Sequence, residues 1–163
     1  MVKTDGKYIY YYNQEQTSVY IIEAFPVSEK KVIKKIQLPK NMYSPVLYLG
    51  EDRLVIVAGG YSDYNYAAKG YWVNRSSKTY AIVFDTTDVK KPKLLKLYVT
   101  DGNMTNSRKI GRYVYLISTN YFNIPYYRFT DESEIEFDAK DLIPRNMDIS
   151  KTSVTTKQNL TVK

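Results

Sequence analysis

The chain of 163 residues contains neither cysteine nor histidine. Without cysteine there are no disulfides and no thiolate metal sites, although the compartment is not fixed by that lack. Without histidine there are no Ser-His-Asp triads, no Cys-His dyads and no zinc sites built on imidazole. Chemistry of any kind is left to carboxylates, lysine, tyrosine and hydroxyls, and no motif calls for a cofactor. No apolar run approaches the ~20 residues of a membrane-spanning helix. The start, Met1-Val2-Lys3-Thr4-Asp5, lacks the apolar segment of a signal peptide. The expectation is a soluble polypeptide with no membrane span, and its length and 44% hydrophobic content suit one domain with a real core.

What the sequence does contain is a phrase written three times: Lys7-Tyr8-Ile9-Tyr10, Arg53-Leu54-Val55-Ile56 and Arg112-Tyr113-Val114-Tyr115. Each follows a turn with Gly or Asp, so a basic residue opens a strand of β-branched and aromatic side chains after a reversal. The copies lie 46 and 59 residues apart, the longer spacing holding an insertion from Tyr61 to Lys78. A second match lies at an offset of 62, where Tyr20-Ile21-Ile22-Glu23 aligns with Ile82-Val83-Phe84-Asp85 and Lys31-Val32-Ile33-Lys34 with Lys93-Leu94-Leu95-Lys96. Strand units recurring in order at such a period predict an all-β fold of antiparallel four-stranded β-propeller blades.

Strand signals fall in groups of four. The most complete group covers 42–49, 53–58, 79–85 and 94–99; before it come 7–12, 19–24 and 32–38 with the stub 2–4, and after it 104–110, 112–119 and a further candidate at 126–130. Residues 1–149 thus divide into units of 1–40, 41–101 and 102–149, about two and a half blades, followed by a flexible polar tail at 150–163. The acidic stretch from Asp131 to Asp141 allows a strand with one charged face, and helix is expected at most as a short turn at 138–142. Both faces of the central strands are apolar or aromatic, which requires cover on both sides. Closure normally takes at least four blades. The end faces therefore imply a larger propeller, association of copies, or chain ends folded over them.

The formal charge of +7 raises the question of a polyanion partner. Its placement argues for another role: Lys30, Lys31, Lys34 and Lys35, and again Lys90, Lys91, Lys93 and Lys96, lie on or beside the last strand of each unit, where lysine guards an open sheet edge. Nucleic acid is disfavoured as a partner.

The stretches 3–10, 47–56 and 107–116 resemble secreted bacterial and archaeal proteins that carry a C-terminal β-propeller distantly similar to WD40 repeats. The resemblance spans about residues 2–143 and rests on strand and turn motifs, so it speaks to fold and not to chemistry. It implies an extracellular or cell-surface location and offers no catalytic motif. Family members are much longer than this chain.

The insertion is the first candidate site: Tyr61, Asp63, Tyr64, Tyr66, Tyr71, Trp72 and Arg75 mix aromatic rings with charge around the only tryptophan. Such residues dominate binding hot spots, and loops on a rigid scaffold commonly carry recognition. A protein or glycan partner fits this chemistry, although the balance on sequence favours a hairpin folded back onto its own sheet. The stretch 121–128 is a second aromatic loop, read as a packed connection. The acidic stretch has no calcium-loop spacing, and no carboxylate pair stands out for glycosidase work. The reading is a non-catalytic interaction module, with a fragment of a carboxylate-based glycan hydrolase or lyase as the alternative and no metal site identified.

Overall fold

The computed structural model describes residues 1–62, 76–121 and 146–148. Alternating, β-branched and aromatic segments pair there as antiparallel strands. The first sheet runs β1 (Val2–Thr4), β2 (Tyr8–Asn13), β3 (Ser18–Glu23) and β4 (Lys31–Gln37) in spatial order. The second holds β5 (Met42–Leu49), β6 (Arg53–Ser62), β7 (Ser76–Asp85) and β8 (Lys93–Asp101), and β11 (Asn146–Asp148) adds to β8. The third is the hairpin β9 (Asn103–Ile110) and β10 (Tyr113–Thr119). Each copy of the repeated phrase lies in or just before the second strand of its sheet.

The repeat extends to a structural defect. In the first sheet Ile21 pairs with Lys34 but Ile22 with Val32, so Ile33 is an extra residue; in the second, Val83 pairs with Lys96 but Phe84 with Leu94, leaving Leu95 extra. These bulges sit at the same point of the 62-residue offset, and a bulge bends its strand and raises the twist. The basic residues of the phrase do not superpose. Ile9 pairs with Ile22 and Leu54 with Phe84, which makes Ile9 and Leu54 equivalent and places Tyr8, not Lys7, at the position of Arg53.

Successive side chains of a strand point to opposite faces, and burial shows which face meets which neighbour. On the first sheet Tyr10, Tyr12, Val19, Ile21 and Ile36 are buried, while Tyr11, one residue out of phase, is exposed. On the second sheet Leu54, Ile56, Ala58, Tyr80, Ile82 and Phe84 are buried in the opposite phase relative to the repeat, while Val57 is buried on the other face. The two sets form one apolar cluster. The sheets therefore stack with unlike faces in contact, as repeating blades must. Burying each large side chain contributes roughly 1.5–3 kcal/mol.

The other face of the second sheet meets the third. Tyr48 and Ser107 hydroxyls lie 2.9 Å apart, and the Tyr43 hydroxyl donates to Asn103 Oδ1 at 3.4 Å. The link between these sheets turns at Gly102, with φ 104°, where a Cβ would stand 2.7 Å from the Thr119 carbonyl oxygen. Glycine is the residue that admits both the dihedral and the approach. Among the described residues nothing packs on the outer faces at the two ends of the stack: Val2, Tyr11 and Val32 on the first sheet, and Ile110, Tyr113, Tyr115 and Ile117 on the third, are exposed.

Three expectations need correction. The second sheet's fourth strand is not outermost along its whole length, because Asn146, Met147 and Asp148 pair with Thr100, Val99 and Tyr98. The hairpin of the insertion is paired further than expected, to Ser62 opposite Ser76. A 3₁₀ turn occupies Val27–Glu29, preceded by Pro26 with φ −67°, a dihedral that proline fixes at the entry to a helical turn. On β4, Lys31 Nζ lies 3.4 Å from Glu23, and Lys35 Nζ bonds Gln16 Oε1 at 2.7 Å while sitting 5.5 Å from the centre of the Tyr20 ring. The strand expected at 126–130, the acidic stretch, the turn at 138–142 and the tail at 150–163 lie outside the described residues.

Two outcomes follow for stability. Phe84→Ala is expected to cost about 3–5 kcal/mol, whereas Tyr113→Ala on the open face is expected to stay within about 0.5 kcal/mol, as read from urea unfolding. The second concerns alkaline pH. Burial first, then the Asp5 carboxylate whose Oδ2 accepts from the Tyr10 hydroxyl at 3.3 Å, hold that hydroxyl well above the usual tyrosine range. The folded chain then keeps a proton that the unfolded chain releases above about pH 10, so stability falls as pH rises through that region. Thermal midpoints measured against pH should show a shallower alkaline fall for Tyr10→Phe.

Candidate functional site

The insertion leaves the second sheet on its two longest strands, β6 and β7, both of ten residues. Its base is tightly determined. The Tyr61 N–H donates to the Asn41 carbonyl at 3.2 Å, and the Asn41 side-chain amide donates back to the Tyr61 carbonyl and to the Tyr80 hydroxyl. The Tyr61 ring packs on Tyr43 with centroids 5.1 Å apart, tilted by 37°, yet the residue stays 39% exposed. Gly59 permits this arrangement, since a Cβ there would meet the Tyr43 ring at 2.6 Å. Burial, followed by the neighbouring Tyr61, raises the Tyr43 hydroxyl above its ordinary range. On the same rim Lys78 and Asp101 form an ion pair between β7 and β8.

Of the residues singled out in the insertion, Tyr61 stands at this base with its ring accessible. Asp63, Tyr64, Tyr66, Tyr71, Trp72 and Arg75 lie outside the described residues. In the second aromatic stretch Tyr121 is exposed, and 122–128 are outside the described residues. Among the described residues no group of three or more acidic side chains is placed to hold a metal ion.

A concavity lies toward the opposite rim, between the second sheet and the β9–β10 hairpin. It has a volume of about 840 Å³ and is walled by Val55, Val57, Ala81 and Val83 on one side and Val114 and Leu116 on the other. The loop Gly50, Glu51 and Asp52 and the turn Gly111 and Arg112 border it, together with Tyr48, Arg53, Lys96, Lys109 and Tyr113. Arg53 is engaged with Asp52 at 2.6 Å and Asp85 at 3.4 Å. Hydrogen bonds from Thr87 hold the Asp85 carboxyl below its ordinary range, with Arg53 and Lys93 assisting against a smaller opposing effect of burial. Among the described residues no carboxylate lies within ion-pairing distance of Lys96, Lys109 or Arg112.

Sequence reasoning passed over this cleft. The signal was present in side-chain size along the middle of β6 and β7, which carry Leu54, Ile56, Tyr80, Ile82 and Phe84 toward the first sheet but Val55, Val57, Ala81 and Val83 toward the third.

The sequence profile of a family described as a beta propeller domain matches residues 1–162. No curated protein and no solved structure matches the chain.

Proposed function

Since the chain belongs to the β-propeller domain family, a scaffold for binding or structural roles, we propose that it acts as a non-catalytic interaction module of an exported or cell-surface protein. Its contact element in this reading is the insertion from Tyr61 to Arg75, and its partner a protein or a glycan. One observation carries the proposal: the insertion springs from a base fixed by Asn41, Tyr43 and Tyr80, with the Tyr61 ring left accessible beside it. A rigid base lowers the cost of ordering the residues it presents. Those residues include Tyr64, Tyr71, Trp72 and Arg75, the types that carry most binding energy in interfaces. The resemblance to secreted propeller proteins supports the location.

The test is capture on glycan and peptide arrays with the full chain. Changing Tyr64, Tyr71 and Trp72 together to Ala is expected to weaken capture by at least about a hundredfold, since each lost aromatic anchor removes roughly 1 kcal/mol or more, while circular dichroism stays unchanged. Capture that survives the triple change contradicts the reading.

The open outer faces favour a second role for the fold. We propose that copies of the chain associate through them, the exposed Tyr113, Tyr115 and Ile117 of one meeting the exposed first-sheet face of another. Exposed apolar patches of this kind mark interaction sites. Sedimentation at rising concentration should show self-association that Tyr115→Lys with Ile117→Lys abolishes. A monomer at high concentration that binds no hydrophobic dye excludes it.

A further inference from the structure

The interface between the first two sheets and the interface between the second and third are built on equivalent backbone but filled unequally. In the first, Tyr10, Tyr12 and Ile36 meet Leu54, Ile82 and Phe84 and all are buried. In the second, the registers place Val55 opposite Val83 and Val57 opposite Ala81, and the facing β9 strand contributes Ser107 and Lys109. Tyr10 and Tyr12 of the first sheet are the repeat equivalents of Val55 and Val57, so two rings are replaced by two isopropyl groups. Protein interiors pack to crystal-like density; here the smaller side chains contribute to an open cleft of about 840 Å³ that the loops at 50–53 and 111–113 also bound. That size lies within the range of small-molecule sites.

The charge around it is one-sided. Lys96 is the cross-strand partner of Val83, and Lys109 that of Val114, so each wall carries an ammonium beside an apolar patch. Arg112 adds a third cation at the turn, stacked 5.5 Å from the Tyr113 ring centre. Against these stand Glu51 and Asp52, and Asp52 is already engaged by Arg53. A cavity with apolar walls, bordered by cations that meet no carboxylate among the described residues, selects an apolar body with a negative head.

From this we infer that the cleft between the second sheet and the β9–β10 hairpin binds a single-chain amphiphile with an anionic head group, its chain against Val55, Ala81 and Val83 and its head toward Lys96 and Lys109. The site is separate from the insertion and does not depend on its role. A free carboxylate and a lipid head group share this chemistry, and the test separates them.

Titration calorimetry on the full chain would use dodecanoate, dodecyltrimethylammonium, acetate and a lysophosphatidylglycerol. Dodecanoate is expected to bind, and the cationic amphiphile and acetate are not. Stronger binding of the lysolipid than of dodecanoate assigns the head to a phosphodiester, and the reverse assigns it to a carboxylate. Lys96→Gln with Lys109→Gln, both at exposed positions, is expected to weaken binding by about tenfold or more through loss of charge-assisted hydrogen bonds. Ala81→Phe, which sets a ring against the apolar wall, is expected to weaken binding, with folding checked by the thermal midpoint. Equal binding of anionic and cationic amphiphiles, absence of binding by either anionic amphiphile, or undiminished binding in the paired lysine variant overturns the inference.

Discussion

Contact between unlike faces of successive sheets is the constraint on which this fold depends. A four-stranded sheet with large apolar groups on both sides cannot be stable alone in water, because one face or the other remains wet. The first sheet turns Tyr10, Tyr12, Ile21 and Ile36 toward the Leu54, Ile56, Ile82 and Phe84 face of the second, and these side chains form one dry cluster. Pairing within each sheet sets the register; this layer determines how the sheets sit.

The rest of the architecture follows from repeating that contact with different side chains. The second sheet's other face repeats the geometry with the smaller Val55, Val57, Ala81 and Val83, and a cleft with cations on both walls lies between it and the hairpin. On the third sheet Tyr113, Tyr115 and Ile117 are exposed on the outer face. The proposed binding roles thus fall at three kinds of place in one scaffold: the insertion between β6 and β7, the cleft beside the hairpin, and the outer faces. Fold alone assigns none of these a ligand; side-chain chemistry at each place separates them.

Much of the fold was legible in the sequence because strand signals are local. The phrase at Arg53-Leu54-Val55-Ile56 and the pair of matches at an offset of 62 located the second, third and fourth strands of each full unit, and even the bulges at Ile33 and Leu95 obey that offset. The displacement of Lys7 from Arg53 escaped notice because register is set by cross-strand partners, here Ile22 and Phe84, and not by resemblance of neighbours along the chain. Asn146–Asp148 carries no intrinsic strand signal; its pairing with β8 is a long-range contact that local propensity cannot announce. The candidate site was readable only in part. Tyr61 was found through its company of aromatics, but its fixation by Asn41 and Tyr80 depends on residues 20 and 19 positions away that the fold alone brings together. The cleft went unread because it consists of what is missing from one face, and face assignment needs the stacking order.

Native-state hydrogen exchange on the intact chain, with and without Phe84→Ala, tests the central claim most directly. If the sheets are stabilised by their shared layer, removing the Phe84 ring from the second sheet should speed exchange of the β2 and β3 amides in the first sheet about as much as those of β6 and β7, because they open as one cooperative unit. Acceleration confined to the second sheet, with β2 and β3 unchanged, would show that each sheet stands on its own and would contradict the account.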